Sequence, residues 1–214
     1  MVDASKRPAG LRTREAILEA SRSLFLRQGY HATGMREIAH ESGISLGAVY
    51  NHFQSKEEIF AAILAERNVY RAIVEGLSRA RGDTAAELLA SGFVEVMAML
   101  KGKSDFPVLL FIDFLEFRGS HIAKLLSEVV PEFLGFFQQV YQLGQNGGEL
   151  RPVSPMLMAR TFIGMIFSSF LIEDVLSSLL PTSLSLPLHV EGWEQGMVDI
   201  LLHGVVKPIP DQEG

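Results

Sequence analysis

Apolar residues recur every three or four positions along most of this chain, which is the spacing of one face of an α-helix. Between residues 11 and 28, for example, Ile17, Ala20, Leu24 and Phe25 follow this spacing. No stretch keeps the apolar–polar alternation of a strand, and no repeat of fixed period is present. The pattern predicts an all-α chain of about nine helices.

Glycine, proline and capping residues indicate where these helices begin and end. Gly29 closes the first helix, and Thr84 with Glu87 forms a capping box that opens another. Pro131 is expected to interrupt a helix that starts at Ser120. The predicted organisation is a basic arm at 1–10, a helix-turn-helix domain at 11–55, a linking helix at 56–80, a helical ligand-binding and dimerisation domain at 81–206, and a tail at 207–214.

Residues 33–60 read as two short helices that meet in a tight turn. Thr33 is predicted to cap the first, Gly43 to stop it with a positive φ, and Ser45 to cap the second. Val49 and Phe53 lie four residues apart, so they face inward together. This arrangement is a helix-turn-helix.

The second helix leaves a row of side chains free to face a binding partner. Lys56 follows it at a helix start, where backbone N–H groups favour a phosphate. The residues expected to contact DNA are Thr33, Arg36, Ser45, Leu46, Gly47, Ala48, Tyr50, His52 and Lys56. Among them we assign Thr33, Tyr50, His52 and Lys56 to phosphates rather than to base edges.

Three stretches of sequence carry a family resemblance. They are Thr-Arg-Glu-Ala-Ile-Leu-Glu-Ala at 13–20, Leu-Phe-x-x-x-Gly-Tyr at 24–30, and Gly-Ala-Val-Tyr-Asn-His-Phe-Gln-Ser-Lys-Glu at 47–57. Over roughly residues 11–64 the chain resembles the DNA-binding domain of the tetracycline-repressor (TetR) family. The resemblance implies a dimeric, ligand-responsive transcriptional regulator of a palindromic operator. A repressor is favoured, with an activator as the alternative.

Leu46 departs from the family pattern, because many relatives have a polar or basic residue at this position. An apolar side chain contacts only a thymine methyl group. Sequence specificity is then expected to depend on Arg36, Ser45 and the deformability of the DNA.

The charge distribution agrees with a DNA-binding N-terminal part. The net charge of the chain is −6, yet residues 1–56 carry eight basic and five acidic side chains, and the other residues carry eleven and twenty. A region of charge +3 therefore precedes one of −9. Such asymmetry orients a protein on DNA.

The composition indicates a cytoplasmic protein. There is no cysteine, and the N-terminus lacks the apolar run of a signal peptide. The longest apolar stretch, at 156–172, contains Arg160 and is shorter than the roughly 20 clean residues of a membrane span. No membrane association is expected.

Ten of the fourteen phenylalanines fall between residues 106 and 170. Each one is more often core than ligand contact, but together they are typical of an apolar pocket between helices. We therefore expect a small apolar or aromatic effector. The predicted ligand-binding residues are Phe111, Phe114, Phe117, His121, Phe133, Phe137, Tyr141, Thr161 and Met165.

The last two predicted helices have more apolar surface than one core-facing stripe requires. A helix that is apolar nearly all round must be covered on both sides. A second subunit supplies that cover, so we expect a homodimer through residues 155–180 and 190–205.

The sequence around each candidate catalytic motif argues against an enzyme. Residues 43–47 match the G-x-S-x-G pattern of a hydrolase, but that motif requires a strand before the serine, where this chain is helical. No histidine pair has metal-ligand spacing, so neither a metal nor another cofactor is expected. The alternative function is a helical small-molecule-binding protein without DNA-binding activity.

Overall fold

The computed structural model describes residues 9–103, 105–147, 153–170 and 192–203. Within these ranges α-helices alternate with turns and no strand is present, which confirms the all-α prediction. The helices are α1 (Ala9–Gln28), α2 (Met35–Ser42), α3 (Leu46–His52), α4 (Lys56–Glu66), α5 (Val69–Arg79), α6 (Ala85–Leu100), α7 (Phe106–Phe117), α8 (Ser120–Gly147), α9 (Pro155–Phe170) and α10 (Trp193–His203). Among the helices of these ranges, none has the length and hydropathy of a transmembrane span.

The chain divides into two compact units. The first unit comprises the chain up to Asn68 together with Asp105–Leu126, and the second comprises Val69–Ser104 and the chain from Ser127 onward. The predicted organisation kept residues 105–126 with the ligand-binding domain. The structure instead groups α7 and the start of α8 with the helix-turn-helix.

The core of the first unit is built from the apolar faces of α1 to α4. Fully buried side chains from each helix meet there, namely Ile17, Leu24, Phe25, Ile38, Val49, Ile59 and Phe60. The Phe25 and Phe60 rings lie 5.9 Å apart in an edge-to-face arrangement. The short helices α2 and α3 hold their shape through this packing, because helices of fewer than about 12 residues are marginal alone.

The second unit depends on close contact between α5 and α6. A Cβ atom built on Gly76 would lie 2.7 Å from the Cα atom of Val96, and one on Gly92 would lie 2.8 Å from the Phe136 ring. Glycine is required at Gly76, where the neighbour is backbone, whereas at Gly92 a larger residue would require the Phe136 ring to shift. Phe93, Phe137 and Phe162 fill the core beside this contact and are fully buried.

Two predicted boundaries are corrected. The single linking helix expected at 56–80 is two helices, because α4 ends at Glu66 and α5 begins at Val69. Pro131, expected to interrupt a helix, lies inside the continuous helix α8. Val129 and Phe136 are buried on either side of it. Their packing offsets the one backbone hydrogen bond that proline cannot make.

Candidate nucleic-acid interface

The turn between α2 and α3 has the predicted geometry. Gly43 adopts a φ of 68°, the left-handed conformation that glycine accommodates, and ends α2. The Ser45 hydroxyl accepts a hydrogen bond from the Ala48 N–H at 3.3 Å and caps α3. Val49 is fully buried and Phe53 nearly so. This inward pair fixes the rotation of α3 about its axis, which determines the face that it presents to solvent.

The outward face of α3 combines small residues with one aromatic side chain. Gly47 is exposed, with no heavy atom within 4 Å of the position that a Cβ would take. Tyr50 is 46% exposed. Leu46, Ala48 and His52 are half-buried at the margins of the face. On α2, Arg36 is exposed as expected.

The predicted contact between the Thr33 hydroxyl and a DNA phosphate does not fit the structure. Its side chain is only 2% exposed, and its hydroxyl donates a hydrogen bond to the Gly29 carbonyl at 2.9 Å. Gly34, not Thr33, is the N-cap residue of α2, and the Gly34 N–H donates to the Glu37 carboxylate at 3.4 Å. Thr33 therefore holds the loop before α2 and does not present its hydroxyl to a phosphate.

Lys56 is half-buried and already has partners. Its ammonium group donates to the carbonyls of Tyr30 and Thr33, at 2.6 and 2.8 Å, and lies 4.1 Å from the centre of the Tyr30 ring. Burial lowers the pKa of Lys56, although the nearby Glu116 carboxylate opposes the shift. Because an ammonium has three donors, one N–H is left for a phosphate. Lys56 thus has a structural role besides its predicted DNA contact.

The basic side chains of the first unit are not equally available to DNA. Arg14 pairs with Glu66, and Arg22 pairs with both Glu19 and Asp105. Arg12 and Arg36, by contrast, are exposed and have no ion-pair partner within the described ranges. Only some of these arginines are therefore available to DNA, and of Arg12 on α1 and Arg36 on α2 it is Arg36 that lies on the two helices of the helix-turn-helix.

Asn51 is exposed at the centre of the outward face and was missed at the sequence level. The signal was available in the sequence. At 100° per residue, a position two places beyond the inward Val49 points about 160° away from it. The asparagine amide has no hydrogen-bond partner among the described residues.

The nine predicted ligand-binding residues do not form one cluster within either unit. Phe111, Phe114, Phe117 and His121 belong to the first unit, and the other five belong to the second. Phe117 and His121 pack ring to edge at 4.7 Å, and Phe117 also stacks on Phe60 of α4 at 5.3 Å. These two residues thus help to hold α7 and α8 onto the helix-turn-helix.

In the second unit the predicted ligand residues differ in their surroundings. Phe137 is fully buried and packs edge to face against Phe136 and Phe162, so it is a core residue. Thr161 is exposed, and its hydroxyl donates to the Leu157 carbonyl at 3.0 Å. Phe133, Tyr141 and Met165 are half-buried. The prediction that Thr161 contacts a ligand stays a prediction, and its side chain is exposed.

No group of three histidine or carboxylate side chains within the described ranges is arranged to hold a metal ion. Ser45, the serine of the hydrolase-like pattern, follows α2 and caps α3. A nucleophile elbow needs a strand at that point.

Comparison with known proteins supports the helix-turn-helix assignment. Residues 17–63 match a family described as "Bacterial regulatory proteins, tetR family". The chain is 30% identical over 158 residues to the HTH-type transcriptional regulator YfiR of Bacillus subtilis, covering 70% of this chain and 74% of that protein. The chain belongs to the TetR family. Family members are DNA-binding transcriptional regulators and not enzymes.

Solved structures share the fold of this TetR-family chain. PfmR, a TetR-family regulator from Thermus thermophilus, aligns with a TM-score of 0.68 at 22% identity, over 91% of this chain and 97% of PfmR. AibR, solved in complex with isovaleryl coenzyme A and operator DNA, aligns with a TM-score of 0.60 at 22% identity, over 89% of this chain and 98% of AibR. At these identities the likeness establishes the fold alone.

Proposed function

We propose that this TetR-family regulator is a repressor that binds a palindromic operator as a dimer and is released by a small apolar or aromatic effector. The proposal rests mainly on the way α3 is anchored on one side and exposed on the other. Val49 and Phe53 anchor its inner side, while Gly47, Tyr50 and Asn51 are exposed on the outer side. A second helix of a helix-turn-helix with such a face lies in the major groove.

The dimer is supported by exposed apolar side chains on the last two described helices. On α9, Met156 is 60% and Leu157 54% exposed, and on α10 Ile200 is 53% exposed. The opposite side of α9 is buried through Phe162 and Ile166. The expected interface at 155–180 and 190–205 extends beyond the described residues, which include 155–170 and 192–203 of it.

A two-fold dimer dictates the form of the operator. Two identical copies of α3 require two inverted half-sites on one face of the duplex, about one helical turn or a multiple of it apart. A repressor of this kind acts in the cytoplasm, where it blocks transcription by binding its operator.

The effector is proposed to bind the aromatic part of the second unit. Phe93 packs edge to face with Phe162 at 5.7 Å and with Trp193 at 6.4 Å. Trp193, Phe133 and Tyr141 of the same unit are half-buried, and the Phe133 ring packs on Phe137 at 5.1 Å. Because AibR was solved with isovaleryl coenzyme A, acyl coenzyme A compounds of different chain lengths are suitable first probes beside aromatic acids.

Effector action requires a difference in affinity between two conformations of the protein. A typical coupling free energy of about 1–3 kcal/mol changes operator affinity about 5- to 150-fold. By reciprocity, operator DNA must weaken effector binding by the same factor.

The test is fluorescence anisotropy on labelled DNA from the region flanking the gene, with and without the acyl coenzyme A series. The proposal expects tight, saturable binding that an effector weakens, and effector binding that DNA weakens equally. Binding no tighter than to random DNA would overturn it and favour the alternative function without DNA binding. An effector that leaves operator affinity unchanged would overturn the release step.

A further inference from the structure

Two residues lie on the side of α3 that faces away from the core of the first unit. Measured from the buried Val49, both Gly47 and Asn51 lie about 160° around the helix, on either side of the point opposite the core. Both are exposed. Tyr50 and Ala48 lie on the flanks. Among the residues of α3, Asn51 thus has the polar side chain that lies most directly opposite the core.

Gly47 and Asn51 are four residues apart, so they are neighbours along the helix surface. A helical side chain leans toward the N-terminus and covers the turn before its own Cα. This lean directs the Asn51 amide toward the Gly47 side of the helix without filling the space above Gly47, since no side-chain atom lies within 4 Å of the Gly47 Cβ position. A base edge can approach the backbone at this point and meet the amide.

The chemistry of the amide selects the base. An asparagine side chain presents one acceptor oxygen beside one N–H₂ donor. In the major groove, adenine presents the complementary pair, the N7 acceptor beside the N6 amino donor, and asparagine binds both at once. Tyr50 has a single hydroxyl and cannot form this pair. Neither group of the Asn51 amide is engaged within the described part of the chain.

We propose that Asn51 is a specificity-determining residue that reads one adenine in each operator half-site through a bidentate contact. This inference rests on the proposed function, because it requires α3 to enter the major groove. It also supplies the direct readout that the apolar Leu46 at the start of α3 cannot provide.

The experiment compares full-length wild type with Asn51→Ala on duplexes that vary every operator position in turn. Wild type should prefer adenine at one position per half-site by about 5- to 150-fold over the other bases. Asn51→Ala should lose preference at that position alone and keep the preferences elsewhere. Gln54→Ala, which removes an exposed amide just beyond α3, is the matched control and should keep every preference.

A chemical substitution tests the contact itself. Replacing the preferred adenine by 7-deazaadenine removes the N7 acceptor, so it should weaken wild type but not Asn51→Ala. If wild type has base preferences that Asn51→Ala retains in full, or if both respond equally to 7-deazaadenine, the Asn51 inference is overturned while operator binding stands. If wild type prefers no sequence, the proposed function itself fails.

Discussion

The Nδ1 atom of His121 lies 2.7 Å from the Oδ1 atom of Asp113, a carboxylate with no solvent exposure. The other carboxylate oxygen accepts a hydrogen bond from the Ile122 N–H in the first turn of α8 at 3.1 Å. One side chain thus fixes both the imidazole and the start of α8. Because the rings of Phe117, His121 and Phe60 all contact one another, the same corner holds α7 and the start of α8 onto α4.

Replacing Asp113 by alanine should lower the free energy of unfolding by about 1–3 kcal/mol, because it leaves a backbone N–H and an imidazole without their buried acceptor. The matched control is Asp199→Ala. Asp199 pairs with His203 at 3.0 Å, but its side chain is 71% exposed. Exposed pairs of this kind contribute about 0–1 kcal/mol. Urea denaturation should separate the two variants, and equal losses would contradict a special role for the buried pair.

Replacing Gly76 by alanine should destabilise the protein. The new Cβ would lie 2.7 Å from the backbone of Val96, so α5 and α6 must move apart. The cost of such overpacking is about 1–3 kcal/mol. Gly135→Ala on α8 is the control, since its Cβ meets nothing within 4 Å. That variant should gain roughly 0.5–1 kcal/mol from helix propensity. A Gly76→Ala protein as stable as wild type in thermal unfolding would show that this contact is looser than the structure indicates.

Replacing Lys56 by alanine should weaken binding to operator and random DNA alike, because a phosphate contact carries no sequence information. The slope of log affinity against log salt should flatten by about one unit. Lys101→Ala, at an exposed position of the second unit, should leave the slope unchanged. If Lys56→Ala only lowers stability and keeps the slope, its ammonium serves the Tyr30 and Thr33 carbonyls alone.

Alkaline pH should destabilise the fold through Tyr30. Burial, followed by the Glu57 and Glu116 carboxylates, raises the pKa of Tyr30 to about 12 from its usual 10.0. The folded state therefore keeps this proton where the unfolded state has lost it, and the free energy of unfolding falls as pH rises from about 10 toward 12. The difference between wild type and Tyr30→Phe isolates this effect. It should be constant below pH 10 and shrink above it, and a difference that stays constant to about pH 11.5 would contradict the assignment.

The proposed dimer should dissociate when charge is placed on α9. Wild type is expected to sediment as a dimer at micromolar concentration, and Leu157→Glu should sediment as a monomer because a buried unpaired carboxylate is costly. Gln139→Glu adds the same charge at an exposed position of α8 and should remain dimeric. A monomeric wild type would remove both the dimer and the palindromic operator.

The helix-turn-helix was predictable from sequence because local signals specify it. Gly43 and Ser45 mark a stop and a cap that the structure confirms, and Val49 with Phe53 sets the inward face. Thr33 was assigned as a cap by its residue type, but the chain turns one residue later. The placement of a cap within one position depends on packing that the local sequence does not encode.

The grouping of α7 with the DNA-binding unit was not predictable. The spacing of Phe117 and His121 shows only that they share a helical region with other aromatic residues, and it does not say which surface they meet. The break between α4 and α5 was also hidden, because the apolar pattern continues through Arg67 without a glycine or proline. Arg67, the C-cap residue of α4, pairs with Asp105 at 3.5 Å, and a contact across so many residues is not encoded by the local sequence.

The central claim, that the outer face of α3 recognises a specific operator, is tested most directly by selection of duplexes from a random pool. Wild type is compared with Gly47→Glu, whose new Cβ would meet nothing within 4 Å at an exposed position, so the fold should stay intact. Wild type should enrich an inverted repeat with half-sites about one helical turn or a multiple of it apart. Gly47→Glu should enrich no sequence, because a carboxylate on the outer face of α3 is repelled by the negatively charged DNA. Enrichment of the same sequences by both proteins would contradict the claim.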